Sequence, residues 1–296
     1  MQRIVSLPFA EWSPDVGTEG SRHMTEDLEA GRVLFLPGLE FSPKEREYRF
    51  FDPSWLGRRQ KLIAFDPARG EGRSALSGAK GTAADLHELA AMIARFRVGA
   101  LTLVAALFPT YKPWLRAADT TFRPMDVEED KRPWREDDSL LHVDAFPARP
   151  CRGGRILRVF SNVNPAGVPR LWKLGGNFES IARQFAPVVD APLPGAAALL
   201  RLLRLTHERR SLYDHLMLGM HDAMKQDADY QARASHQVFP FPDGSTWICF
   251  PDQCPHAALA GQFLLEQTVL LPVTALEHPE HAPLRVLERL LGQTLV

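Results

Sequence analysis

The second half of the chain alternates strand-like segments with one long helical segment, and this order most constrains the fold. Residues 155–163 and 262–273 are rich in apolar and β-branched side chains, which predicts two buried strands. Residues 236–250 are predicted to form a β-hairpin, because Asp243-Gly244 is a residue pair typical of tight turns. Strands on both sides of a helical insertion favour a jelly-roll over a βαβ fold.

The remaining segments fit the same architecture. Residues 32–36 and 61–65 predict short strands, and Thr82 followed by Asp85 predicts the start of a helix. Residues 196–225 predict the helical insertion, with a bend near His207. We therefore expect one domain over residues 1–296, mainly β with flanking helices and built on a double-stranded β-helix. It would carry an N-terminal elaboration of helices and strands and a helical insertion around residues 196–226.

Composition excludes several classes of protein. The net charge is −1, so bulk charge predicts no nucleic-acid partner, and nothing in the sequence predicts a protein partner. Three cysteines argue against a disulfide framework and favour a reducing compartment. The apolar segment 86–108 contains Glu88, Arg95 and Arg97, which predicts a helix of the folded domain and not a membrane span.

Two ligand-capable side chains stand two residues apart in His142-Val143-Asp144. On an extended backbone both point to the same face. His256, just before the strand at residues 262–273, is the best third ligand. The three side chains would form a 2-His-1-carboxylate triad, the arrangement of non-haem iron(II) oxygenases. They are accordingly our candidates for both the metal ligands and the catalytic centre.

Two other interpretations of these residues stay open. Cys249, Cys254 and His256 lie close together and could bind zinc in a hydrolase, although no second ligand pair accompanies them. Alternatively, His142 and Asp144 could line the pocket of a sugar-binding jelly roll without catalysis.

The segments LLHVDAFPARPCRGGRILRVFSNVNP, RLWKLGGNFE and WICFPDQCPHAALAGQFLLEQTVLLP resemble the Kdo hydroxylase family. The resemblance extends from about Arg32 onward. It implies a double-stranded β-helix that uses iron(II), 2-oxoglutarate and O2. It also implies hydroxylation at C3 of the sugar acid Kdo, in a Kdo-containing lipid A precursor of lipopolysaccharide, to give Ko. An oxygenase of the same class that hydroxylates a protein side chain is the alternative.

2-Oxoglutarate needs a cation, for which arginine is best suited. The strand at residues 262–273 has no Arg or Lys, so we turn to the strand after the His-x-Asp motif. Arg158 and Arg155 have opposite parity there, and only one can point inward. We favour Arg158, because Asn162 then shares its face and could hydrogen-bond the cosubstrate.

A sugar acid on a phosphorylated lipid is anionic, so its binding should also use cations. Arg123, in the loop predicted before the triad, is one candidate. Arg170, Trp172 and Lys173 are others, with Trp172 stacking on a sugar face. Residues 109–139, rich in proline and charge, are predicted to act partly as a lid.

The helical insertion also suggests contact with a membrane. A stripe of apolar residues accompanies a basic cluster there; the stripe is Leu199, Leu202, Leu205, Leu212, Leu216 and Met220, and the cluster is Arg201, Arg204, Arg209 and Arg210. The stripe could pack on the barrel or rest on an anionic membrane surface. We expect a cytoplasmic protein, with peripheral contact at the inner membrane of a Gram-negative bacterium as the sharper alternative.

Overall fold

The structure, a computed structural model, describes residues 3–128 and 132–296. The described strands are β1 (Ile4–Ser6), β2 (Val33–Leu36), β3 (Ile63–Phe65), β4 (Leu76–Ser77), β5 (Arg116–Arg123), β6 (Arg155–Asn162), β7 (Arg170–Leu174), β8 (Gln237–Phe241), β9 (Thr246–Cys249), β10 (His256–Ala260) and β11 (Leu264–Leu271). The described α-helices are α1 (Gly17–Glu29), α2 (Ala83–Leu107), α3 (Phe178–Phe185), α4 (Ala196–Leu202), α5 (Leu212–Gln226), α6 (Ala228–Arg233) and α7 (Pro283–Leu291).

The strands form two facing sheets. The large sheet has the order β1-β2-β9-β6-β11-β5-β3-β4, and the small sheet has the order β10-β7-β8. Aromatic side chains fill the space between them. The rings of Phe160 and Trp172 lie 4.9 Å apart, and those of Phe241 and Trp247 stack at 4.0 Å. Two sheets packed over an apolar interior confirm the predicted jelly-roll.

Helices cover the outer face of the large sheet. The hydroxyl of Thr82 accepts a hydrogen bond from the backbone N–H of Asp85 at 3.2 Å, so α2 begins where its cap predicts. The side chains of Leu89, Ile93 and Phe96 are fully buried. Among the described residues, α2 is the one helix long and apolar enough to cross a membrane, and here it packs beside β5 and β11.

The predicted hairpin at residues 236–250 is wrong. β8 pairs with β7 in the small sheet, whereas β9 pairs with β2 and β6 in the large sheet. The turn at Asp243-Gly244 is real, with Gly244 at φ +67°, but it connects the two sheets. A turn signal predicts that the chain reverses and not which strands pair. All four residues of β9 are buried, which is typical of a strand inside a sheet.

The lid prediction is wrong for the first part of residues 109–139. Pro109–Trp114 is a short 3-10 helix, and β5 is a strand of the large sheet between β11 and β3. Pro109 begins the 3-10 helix, Pro113 lies inside it and Pro124 follows β5, so none of the three removes a sheet hydrogen bond. Residues 129–131 of the predicted lid lie outside the described residues.

The helical insertion is two helices. α4 ends at Leu202 and α5 begins after Ser211, so the predicted bend near His207 is a break. The predicted apolar stripe is divided as well. Leu216 and Met220 on α5 are buried, whereas Leu199 and Leu202 on α4 are exposed. The stripe therefore does not form one continuous face.

Candidate metal centre

A backbone pairing brings the two candidate histidine ligands together. The N–H of His142 donates to the carbonyl of His256 at 3.0 Å, and the N–H of His256 donates back at 2.9 Å. The N–H of Asp144 donates to the carbonyl of Pro251 at 2.8 Å, which holds the rest of the motif on the same neighbouring segment. Ligands far apart in sequence thus become neighbours through backbone hydrogen bonds.

The three side chains converge on one point. Oδ1 of Asp144 lies 3.5 Å from Nε2 of His142 and 3.8 Å from Nε2 of His256. The candidate ligand atoms all lie within 4.8 Å of one another. Nδ1 of His142 is 2.7 Å from the carbonyl of Leu140, and Nδ1 of His256 is 2.9 Å from that of Cys254. A carbonyl accepts only, so each Nδ1 carries the proton and each Nε2 is free to bind a metal.

The electrostatics favour the forms that a metal requires. Burial lowers the pKa of His142 to about 4, and burial also lowers the pKa of His256, so both rings are neutral at pH 7. Burial alone would raise the pKa of Asp144. The charge of Arg158 outweighs burial and holds that pKa well below its usual range. Two neutral imidazoles and one carboxylate fit iron(II).

Aromatic contacts fix the orientation of both histidines. The indole of Trp172 stacks on the ring of His256, with centroids 5.1 Å apart and planes inclined by 23°. The ring of His221, on α5, meets that of His142 edge-on at 5.2 Å. Trp172 therefore contacts a candidate metal ligand, whereas the sequence suggested a sugar.

A chain of ion pairs extends from the triad along the large sheet. Nη1 of Arg158 lies 2.9 Å from Oδ2 of Asp144 and 3.3 Å from Oε1 of Glu266. The other oxygen of Glu266 accepts from Nε of Arg123 at 3.3 Å. The pairing follows from strand order, because β11 lies between β6, which carries Arg158, and β5, which carries Arg123. Nε of Arg158 is buried and has no hydrogen-bond partner within the described part of the chain.

Glu266 was not predicted from sequence, because this strand was considered only as a source of a cation and has no Arg or Lys. A single acid inside the apolar run of residues 264–271 was the available signal, because a buried carboxylate needs a cationic partner.

Arg158 and Arg155 point to opposite faces of β6, as their parity predicts. Arg158 lines the cleft that contains the triad, and Arg155 points to the opposite face of β6. Arg155 is fully buried and binds Asp252 through two hydrogen bonds, of 2.8 and 3.1 Å, and Gln253 through a third of 2.7 Å. Its guanidinium also lies over the ring of Phe250. The suggestion that Arg155 binds a cosubstrate is therefore corrected to a structural role.

Asn162 also has a structural role here. Its side-chain amide donates to the carbonyls of Val168 at 3.0 Å and Phe241 at 3.1 Å. It shares the parity of Arg158, but it lies at the end of β6, beyond the residues that line the cleft. The predicted contact between Asn162 and the cosubstrate is therefore not supported.

The cleft around the triad has a volume of about 680 Å³, within the range of small-molecule sites. Arg123 and Arg170 line it as predicted, although Arg123 ends a strand and does not lie in a loop. Lys173 does not line it, because alternation along β7 places Lys173 on the opposite face from Arg170 and Trp172.

Further cations of the cleft were missed from sequence. The cleft is lined by six basic side chains, which are Lys61, Arg123, Arg135, Arg158, Arg170 and Lys225, and by five acidic ones, which are Glu136, Asp138, Asp144, Asp222 and Glu266. The ammonium of Lys61 lies 2.5 Å from Asp138, which also pairs with Arg123 at 3.0 Å. Lys61 and Lys225 come from distant segments with no local motif, so their convergence depends on the tertiary fold.

The zinc interpretation fails on the same geometry. Among the residues that the structure describes, the triad is the one group of three or more His, Cys, Asp or Glu side chains placed to hold a metal ion. Cys249 and Cys254 are fully buried, and burial raises the pKa of both thiols, which keeps them protonated.

The fold and the site together define a jelly-roll oxygenase with a 2-His-1-carboxylate metal centre. A family model described as 3-deoxy-D-manno-oct-2-ulosonic acid (Kdo) hydroxylase matches residues 11–294. The chain belongs to the Kdo hydroxylase family.

Two solved structures show the same relationship. A Kdo hydroxylase, KdoO, in complex with alpha-ketoglutarate and Fe(III), is 42% identical, with a TM-score of 0.94, over 100% of this chain and 98% of that one. The same enzyme with cobalt(II) gives a TM-score of 0.95 at 42% identity and the same coverage. Both are described as non-haem Fe(II), alpha-ketoglutarate-dependent dioxygenases. The comparison with curated protein sequences gives no match.

Proposed function

We propose that this protein hydroxylates Kdo at C3, in a Kdo-containing lipid A precursor, to give Ko. The observation that carries the proposal is the convergence of His142, Asp144 and His256 in a cleft with a basic majority, in a chain of this family. The iron centre supplies, when bound with 2-oxoglutarate and O2, the oxidant for an unactivated C–H bond and releases succinate and carbon dioxide.

The residues of the chain would bind the iron and the cosubstrate and would hold the side chains of the site in position. His142, Asp144 and His256 would hold the iron through two neutral Nε2 atoms and one carboxylate oxygen. Arg158 would bind a carboxylate of 2-oxoglutarate, because it is a largely buried cation in the cleft and its Nε has no partner among the described residues. Glu266 would fix the plane of the Arg158 guanidinium from the neighbouring strand.

The substrate would bind through cations farther from the triad. Arg123 and Arg170 line the cleft, and burial lowers the pKa of Arg170 to about 10, which leaves it charged at pH 7. One bond of Arg170 goes to the carbonyl of Gly261 at 2.9 Å, and its Nε has no partner in the described structure. A carboxylate or phosphate is the chemical group that such a site accepts most readily.

The competing function is hydroxylation of a protein side chain by the same chemistry. Succinate release separates the two when the anaerobically purified protein is reconstituted with Fe(II) and 2-oxoglutarate and then given O2. We expect release to rise with Kdo-bearing lipid A precursor and not with a library of peptides. Mass spectrometry of the lipid should show one added oxygen on a Kdo residue. Release driven only by a peptide would overturn the proposal.

A further inference from the structure

One helix of this protein is apolar yet buries none of its residues. α4 has the sequence AAALLRL, with six apolar residues of seven, and none of them is buried. Leu202 is 78% exposed, and Leu193, just before the helix, is 79% exposed. Leu199, Leu203 and Leu205 are also more than half exposed. Large apolar side chains grouped in this way mark an interaction surface.

The charges beside this apolar surface are mostly positive, because residues 191–209 contain three arginines and one acid, Glu208. Arg201, Arg204 and Arg209 are exposed, and they form no salt bridge within residues 3–128 and 132–296. Residues 191–207 contain no Asp or Glu, although the chain as a whole has a net charge of −1. Glu208 is the nearest acid along the chain after them, and it pairs with Arg152 at 4.0 Å.

The backbone turns sharply where the leucines and arginines meet. Arg204 adopts φ +57°, a left-handed conformation that costs a residue with a side chain about 1 kcal/mol. The N–H of Leu205 donates to the carbonyl of Leu200 at 2.9 Å, which closes the end of α4. The turn keeps Leu202, Leu203 and Leu205 together at one end of the helix.

The surface is attached to the rim of the cleft. The N–H of His207 donates to the carbonyl of Ala148 at 2.9 Å, and the Arg210 guanidinium donates to the carbonyl of Pro147. Pro147 and Phe146 line the cleft that contains the triad. The apolar and basic surface is therefore connected to the mouth of the site through two residues.

We infer that α4 and residues 203–209 dock on an anionic lipid bilayer, with the leucines entering the interface and the three free arginines facing lipid phosphates. The charges favour this occupant over a second copy of the chain. A twofold contact would place the three arginines against their own copies, with Glu208 as the one acid of residues 191–209 to compensate. A bilayer offers phosphates to the arginines and hydrocarbon to the leucines. The benefit to catalysis, presenting the cleft to a lipid-linked sugar, rests on the proposed function.

Sedimentation of the protein with vesicles tests this inference. Vesicles of phosphatidylglycerol and phosphatidylethanolamine should bind it at low salt, and pure phosphatidylcholine vesicles should bind it much less. The triple variant R201Q/R204Q/R209Q should lower the partition coefficient on the order of 100-fold, since each arginine near an anionic surface contributes about a fivefold factor. Arg210 is left unchanged, because it holds the rim of the cleft.

Matched controls separate this surface from charge and exposure in general. R58Q/R69Q/R73Q removes the same charge from exposed arginines without salt bridges elsewhere in the described chain and should leave vesicle binding unchanged. L202E/L205E should weaken binding, and V98E/V188E, at exposed valines, should not.

Three results would overturn the inference. In the first, the wild-type protein stays in the supernatant at low salt. In the second, R201Q/R204Q/R209Q binds vesicles like the wild type. In the third, the wild type binds no vesicles but forms a dimer, and L202E/L205E dissociates that dimer. Activity on detergent-dispersed Kdo substrate is measured in parallel and should be unchanged in R201Q/R204Q/R209Q. Vesicle binding without Kdo hydroxylation would remove the proposed function and leave the surface standing.

Discussion

His142 and His256 are direct antiparallel partners, each donating its backbone N–H to the other's carbonyl at 3.0 and 2.9 Å. Main-chain pairing therefore fixes their separation, and carbonyl acceptors at Nδ1 fix their rings. Hydrogen bonds of the protein itself thus set the geometry of the site. Its chemistry and its stability can for this reason be tested separately.

Metal binding should stabilise the protein without changing its secondary structure. At a cobalt(II) concentration 100 times the dissociation constant, the free energy of unfolding should rise by about 2.7 kcal/mol. Thermal unfolding with cobalt(II) and with a chelator measures this, and circular dichroism should be the same in both. D144A should bind cobalt(II) at least about 100-fold more weakly and lose the stabilisation. Loss of secondary structure on chelation would show that the metal organises the fold.

Substitutions of Arg158 and Arg155 should have different effects on cosubstrate binding and on stability. R158K keeps the charge but loses the planar fork, so the KM for 2-oxoglutarate should rise at least about tenfold with little change in Tm. R155K should leave that KM near the wild-type value. It should lower the free energy of unfolding by about 1 to 3 kcal/mol, because lysine keeps the charge but cannot make both hydrogen bonds to Asp252 and the bond to Gln253. The reverse pattern would make Arg155 the cosubstrate residue.

Glu266 should matter for stability as well as for cosubstrate binding. E266Q keeps the size of the side chain but leaves the largely buried guanidiniums of Arg158 and Arg123 with one carboxylate fewer. We expect a loss of about 3 kcal/mol in the free energy of unfolding. E11Q, at an exposed residue, should change it by less than about 0.5 kcal/mol. Denaturant unfolding of both variants provides the measurement, and equal midpoints would remove Glu266 from the ion-pair chain.

Variants of Trp172 test whether its ring contacts a metal ligand or a sugar. W172L removes the ring that stacks on His256, so cobalt(II) affinity should fall about tenfold. W172F keeps an aromatic face, so its cobalt(II) affinity should fall less. If both variants bind cobalt(II) like the wild type while the KM for the Kdo substrate rises, Trp172 contacts the sugar and the stacking is incidental.

Local sequence patterns predicted the parts of the site that depend on local geometry. The two-residue spacing in His142-Val143-Asp144 and the alternation along residues 155–162 need only an extended backbone, and the structure agrees with both. Local patterns could not predict which distant segments pair as strands. The turn at Asp243-Gly244 gave no information on which sheet each flanking strand joins. Glu266 was overlooked because its partners, Arg158 and Arg123, lie on neighbouring strands that only the sheet order identifies.

The predicted helical insertion also shows what local sequence patterns cannot predict. Helical spacing predicted one apolar stripe from Leu199 to Met220, and periodicity cannot distinguish a buried face from an exposed one. Leu216 and Met220 are buried in the core, whereas Leu202 is exposed to solvent. The prediction of membrane contact now refers to α4 and the turn after it alone.

Transfer of oxygen to the substrate tests the central claim most directly. The protein is reconstituted with Fe(II), 2-oxoglutarate, isotope-labelled O2 and a Kdo-bearing lipid A precursor, and the lipid is analysed by mass spectrometry while succinate is quantified. We predict one labelled oxygen atom on Kdo for each succinate formed, and no label with D144A. Unlabelled Kdo in the presence of metal-loaded wild-type protein, or succinate formed without any dependence on the lipid, would contradict this account.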